Sequence, residues 1–148
     1  MSTVYLASYR GQEKGVNGLL SRLIKFFTKG DYSHTEICVG QPFDGAVLCV
    51  SSVKAEGGVR GKVMQLTRDE WDVIPLATVY PQQVVNFLNE HKGEPYDTIG
   101  AVRSVLPFVG RQHPTDWFCS EIAATIIGIK DPWRWHPSAL EALMTERK

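Results

Sequence analysis

Two residues of this chain, Cys119 and His34, have the types and settings to do chemistry together. Cys119 stands in Trp117-Phe118-Cys119-Ser120-Glu121-Ile122-Ala123-Ala124, where a polar stretch turns apolar as a helix begins. The free N–H groups and the positive dipole end of a helix start favour the thiolate, which is the nucleophilic form of cysteine. His34 lies in Tyr32-Ser33-His34-Thr35-Glu36-Ile37-Cys38-Val39-Gly40 and leads into a strand. An imidazole beside that thiol would take its proton and later return it to a leaving group. The backbone N–H of Cys119 would be a natural donor to the oxyanion that forms. Taken singly, each residue has a plainer reading: a small buried cysteine, and a satisfied polar group at a strand edge.

The remaining polar residues divide into partners and bystanders. Glu36 is two residues from His34, so strand alternation puts both on one face. It could hold the imidazole in one tautomer, or be a buried carboxylate paired with a cation such as Arg22 or Arg103. Cys38 and Cys49 fall inside strand patterns and read as core. His91, His113 and His136 read as solvated surface residues. They share no ligand spacing with His34, so neither a metal nor a cofactor is expected. Three cysteines without CxxC spacing argue against a disulfide framework or a zinc knuckle. Gly57-Gly58 is too short for a phosphate loop. Arg60, Trp117 and the Trp133-Arg134-Trp135 cluster could line a substrate groove or close the core.

The elements that must position these residues follow from periodicity. Strands are expected at 4–8, 32–39, 46–53, 59–66 and 71–76, with the second and third paired as a hairpin around the turn at 40–45. Leu19, Leu20, Leu23, Ile24 and Phe27 recur at helical spacing, and Lys29-Gly30 closes that helix. Further helices are expected at 81–91, at 98–106, from Phe118 or Cys119 to Ile127, and at 138–144 with Ser138 as N-cap. The Cys119 helix is expected to pack on the sheet face that carries His34.

Composition narrows the class. With 43% hydrophobic and 22% charged residues over 148 positions, the chain can bury one core, and a single α+β domain spanning 1–148 is expected. A formal net charge of zero gives no global reason to expect nucleic-acid binding. No apolar run reaches membrane-spanning length, so no integral membrane segment is expected. Met1-Ser2-Thr3-Val4-Tyr5-Leu6 runs straight into a strand without a basic and then apolar leader, so no signal peptide and a cytoplasmic location are expected.

The motifs, taken in order, resemble a known family. A helix is followed by the Tyr-Ser-His strand, a second strand, Gly58-Val59-Arg60, a helix, Gly93-Glu94-Pro95-Tyr96-Asp97, and Phe118-Cys119-Ser120-Glu121 at a helix start. This looks like the circularly permuted papain-like amidases of the YiiX-like group in the NlpC-like cell-wall peptidase superfamily. In unpermuted members the cysteine helix precedes the histidine strand. The resemblance implies a permuted papain-like α+β fold, an antiparallel sheet packed against helices. It implies Cys119 as nucleophile and His34 as base, and that Tyr96 helps line the site. Family members place a third polar residue, often Glu or His, on the strand after the histidine strand. This chain has Val47-Leu48-Cys49-Val50-Ser51-Ser52-Val53 there, with Ser51 at the aligned position and Cys49 as the other option.

The implied activity is cleavage of an amide or ester bond in cell-wall peptide-type substrates. A lipid or N-acyl amide substrate, as in the acyltransferase branch of the superfamily, is the first alternative. It would need an exposed apolar patch from Leu19, Leu20, Phe26 and Phe27 beside Cys119. The second alternative is a non-catalytic module. The chain is also similar to small prophage-encoded members, for which a virion-associated or released protein is the corresponding setting.

Overall fold

The computed structural model describes residues 2–11, 32–98, 101 and 117–146. Five strands, β1 (Val4–Tyr9), β2 (His34–Val39), β3 (Val47–Val53), β4 (Gly58–Met64) and β5 (Trp71–Leu76), form one antiparallel sheet in the order β4-β3-β2-β1-β5. Among the described residues three α-helices accompany it: α1 (Pro81–His91), α2 (Cys119–Ile127) and α3 (Pro137–Glu146). The architecture is α+β, with the expected hairpin between β2 and β3. Pro75 sits in β5, an edge strand, where its missing N–H costs no ladder bond. The helix expected at 19–27, with Arg22 and the apolar residues around it, lies outside the described residues, as do Phe26, Phe27, Arg103 and His113. Of the helix expected at 98–106, only Thr98 and Ala101 are described.

Alternation along the strands builds two apolar clusters. Val4, Leu6, Ile37, Val50, Val59 and Leu76 face the helices and pack with Val84 and Phe87 of α1, Ile122, Ala123 and Ile126 of α2, and Leu140 of α3. A fully buried side chain of this size stabilises the fold by about 1.5–3 kcal/mol. The opposite face carries Ala7, Cys38, Cys49 and Leu66, with Phe43, Trp71 and Val73 packed against them. His34 and Glu36 share the alternation of Cys38, so they belong to this second face. The expectation that the Cys119 helix packs on the His34 face is therefore wrong for the helix body. α2 lies against the face of Ile37 and Val50, and only its first residue reaches His34, at the very start of β2.

A parting of strands makes that meeting possible. β2 and β3 pair only where Ile37, Cys38 and Val39 face Val50, Cys49 and Leu48, although both strands run on. Toward His34 they separate. The Thr35 carbonyl, freed on the β3 side, accepts a hydrogen bond from Ser51 Oγ at 2.6 Å instead.

The approach to α2 is fixed from β4. Val59 N donates to Glu94 O and Gly93 N to Val59 O, each at 2.9 Å. Gly58 has φ +111, and a Cβ there would collide with the Glu94 carbonyl, so only glycine allows this close approach. Beyond it, Trp117 N donates to Pro95 O and Asp97 N to Trp117 O, both at 2.9 Å, which seats the chain two residues before Cys119.

The helix ends follow their chemistry. α2 stops at Gly128, left-handed at φ 85, with Gly128 N and Ile129 N both donating to Ala124 O. α3 departs from expectation at its start. Ala139 N donates to His136 Nδ1 at 3.2 Å, so His136 caps the helix, and Ser138 Oγ bonds the Tyr32 backbone instead. His136 is thus half-buried rather than a solvated loop residue.

Candidate active site

Cys119 is the first residue of α2 and is buried, at 3% exposure. Its neighbour Ser120 donates to Trp135 O at 2.6 Å, which pins the helix start to the segment that follows the helix. The chain leading to His34 is held from three sides. Ser33 N donates to Tyr9 O at 3.0 Å. Tyr32 Oη donates to Asp72 Oδ2 at 2.6 Å, and Tyr32 N donates to Ser138 Oγ at 3.2 Å. The His34 ring meets Trp71 edge-on, with centroids 6.1 Å apart.

The imidazole has two polar partners. Its Nε2 lies 2.8 Å from Glu36 Oε1. An ionised carboxylate can only accept, so Nε2 carries the proton and donates. Cys119 is the other polar group that acts on the ring. Burial by itself pulls His34 down. The charge and hydrogen bond of Cys119, and then those of Glu36, outweigh it and raise the group to about 10. His34 is thus set up to stay protonated.

Glu36 is 1% exposed, so its charge needs compensation. Arg60, on β4 and 14% exposed, supplies it. Arg60 Nη1 donates to Glu36 Oε2 at 2.7 Å, and Nη2 donates to Glu36 Oε1. Burial would raise the Glu36 carboxyl, but hydrogen bonds from Arg60 and His34, with their charges, hold it below its ordinary range. Arg60 Nε also donates to Glu56, which in turn accepts from Lys62 Nζ at 2.9 Å. The result is a chain of alternating charge, His34–Glu36–Arg60–Glu56, running from beside the helix start to the sheet edge.

The candidate site residues from the sequence now have their places. Cys119, His34 and Glu36 come together. Ser51 is fully buried, and its hydroxyl is spent on the Thr35 carbonyl; the carboxylate on the imidazole is that of Glu36. Cys49 lies opposite Cys38, away from the imidazole. Tyr96 forms a backbone bridge with Trp117, beside the entry to α2. Arg60 was missed as the partner of Glu36, for which Arg22 and Arg103 were the expected cations. The register carried the signal: Ser51 pairs with Arg60, and both share the Glu36 face. His91 is also not a solvated residue. It packs between Phe87 and Trp117, meeting Trp117 edge-on, and its Nδ1 lies 2.9 Å from Glu94, which also accepts from the Trp117 indole N–H.

Among the described residues, no group of three or more His, Cys, Asp or Glu side chains is placed to hold a metal, and no helix is long and apolar enough to cross a membrane. No protein-family model matches the chain, and no curated protein matches it either.

Proposed function

We propose that this protein is a cysteine hydrolase that cleaves an amide or ester bond, with Cys119 as nucleophile, His34 as base and Glu36 as the group that orients the imidazole. The observation that carries this reading is the ring of His34, with its Nε2 2.8 Å from the buried, ionised Glu36 and Cys119, at a helix start, acting on the same ring. Nucleophile, base and orienter in that sequence are what acyl transfer to a thiol requires.

The mechanism follows from the placement. Cys119 attacks the carbonyl carbon as the thiolate, with His34 as imidazolium. The oxyanion of the tetrahedral intermediate lies at the free N–H groups of the α2 start, Cys119 N among them. His34 then protonates the leaving amine or alcohol, and the acyl group remains on Cys119. Water, deprotonated by the now neutral His34, releases the acid and restores the thiolate. Glu36 keeps the proton on Nε2 throughout and stabilises the imidazolium, while Arg60 keeps Glu36 charged and still. Tyr96, on the segment beside Trp117, would line the entry.

The order of the parts, histidine strand before cysteine helix, is that of a circularly permuted papain-like fold, and the leading substrate class by that resemblance is a cell-wall peptide. The test is hydrolysis of a panel of peptidoglycan-type peptides, N-acyl amides and simple esters by the wild type and by Cys119→Ala. Turnover of the peptides, absent in Cys119→Ala, is the expected result. Turnover of N-acyl amides alone would move the protein to the lipid or acyltransferase alternative. No Cys119-dependent turnover of any member would favour the non-catalytic module.

A further inference from the structure

Cys38 and Cys49 face each other across β2 and β3, and their Sγ atoms stand 3.1 Å apart. We infer that this pair is a modification site of the fold, a cross-strand dithiol that closes to a disulfide without rearrangement of the sheet. The inference does not depend on the proposed hydrolase activity.

The register supports it. The Thr35 carbonyl points toward β3, so Ile37 and Val50 form a hydrogen-bonded pair and Cys38 and Cys49 the intervening non-bonded pair. Residues in a non-bonded antiparallel pair have Cα atoms about 4.5 Å apart and side chains at their closest. That separation falls within the range spanned by disulfides, and the sulfurs need to approach by about 1 Å to reach bonding length. Both cysteines are fully buried in the second apolar cluster with Ala7 and Leu66, so the chain around them is held on every side. In the dithiol form Cys49 also lies 3.6 Å from the Val47 carbonyl, to which it can donate.

Burial also sets how the bond forms. The Cys38 thiol is pushed up by its hydrogen bond with Cys49 and by burial, so in the folded protein it is a poor nucleophile. Closure therefore belongs to folding, with a small disulfide such as oxidised glutathione as oxidant. One cysteine thiolate of the open chain attacks that disulfide and releases one glutathione thiolate, giving a mixed disulfide. As β2 and β3 pair, the second cysteine attacks the protein sulfur of the mixed disulfide and releases the second glutathione thiolate. Two protein thiols and one oxidised glutathione become one protein disulfide and two reduced glutathiones. The bond would brace β2 and β3 next to the point where they part around His34 and Glu36.

The experiment is oxidative refolding of Cys119→Ser, which leaves only these two thiols, with oxidised glutathione. The expected product is a monomer lighter than the dithiol by the mass of two hydrogens, with no thiol titratable after denaturation and a Cys38–Cys49 cross-linked peptide. It should melt about 5–10 °C above the reduced form, as closing so short a loop would give. Wild type refolded in the same way should carry the same Cys38–Cys49 bond, with any glutathione adduct confined to Cys119. Two remaining thiols in Cys119→Ser, stable glutathione adducts on Cys38 or Cys49, cross-linked dimers of Cys119→Ser, or a linked form that melts below the reduced one would overturn the inference.

Discussion

Replacing Glu36 by Gln and Ser51 by Ala separates two jobs that the strand parting brings close together. Glu36 accepts from both Nη groups of Arg60 and from His34 Nε2, and it is 1% exposed. Removing one member of a buried ion pair costs about 3–5 kcal/mol. Here Arg60 keeps Glu56, and glutamine keeps the shape and one acceptor oxygen, so the lower end of that range, about 3 kcal/mol, applies. For a chain of this length that is a fall in melting temperature of about 6–12 °C. The variant also loses the charge-assisted bond that holds the imidazolium, worth about 1.5–3 kcal/mol, which predicts alkylation of Cys119 by iodoacetamide about 10- to 100-fold slower. Ser51→Ala leaves the Thr35 carbonyl without its donor and costs about 1–3 kcal/mol of stability. It touches neither partner of His34, so the alkylation rate of Cys119 should be that of the wild type. Rates come from mass spectrometry of the Cys119 peptide, stability from thermal melts of the same samples. If Ser51→Ala slows Cys119 as much as Glu36→Gln does, the assignment of Glu36 as the orienting group is refuted.

Four further outcomes follow from contacts in the structure. The His34 imidazole, followed by NMR, should titrate near 10 in the wild type, and at a lower pH in Cys119→Ser, because the charge on Cys119 is the largest influence raising it; an unchanged midpoint would contradict that cause. With its value raised from an ordinary 6.5, His34 contributes stability that is full below pH 6.5 and is lost as pH rises through about 10. The melting difference between wild type and His34→Ala should shrink across that window, and a difference that grows would be contrary. For Glu36 the sign reverses, its contribution being present above the ordinary 4.5 and lost as pH falls through its lowered value, so the penalty of Glu36→Gln should vanish in acid. Gly58→Ala should lower the melting temperature by at least about 5 °C, since its Cβ would meet the Glu94 carbonyl at positive φ, and a neutral effect would deny that close approach.

The sequence was most legible where a single element decides the outcome. The five strands, the β2–β3 hairpin and the start and end of α2 all follow from alternation, from a Cys at a polar-to-apolar junction and from Gly128. Cys119, His34 and Glu36 could be named because each rests on a local pattern. What it hid depends on register between elements. Arg60 reaches Glu36 only because β4 pairs with β3 at Ser51, and spacing does not state that pairing. Cys38 and Cys49 read as two unrelated core residues until the hairpin set them opposite each other. The face on which the Cys119 helix packs was hidden for a related reason. Alternation puts His34 opposite the helix-bearing face, and only the parting of β2 and β3 lets the helix start reach it. His91 and His136 looked exposed because their partners, Glu94 with Trp117 and the α3 backbone, are contributed by turns that carry no periodic signal.

The central claim is that Cys119, served by His34, takes an acyl group from a substrate. The most direct measurement is mass mapping after rapid mixing with an activated ester such as a p-nitrophenyl ester. A burst of one acyl group per chain is expected, located on Cys119, that then hydrolyses, with the burst lost in Cys119→Ser and strongly slowed in His34→Ala. Acyl groups spread over other residues with none on Cys119, or acylation of Cys119 at the wild-type rate in His34→Ala, would contradict it.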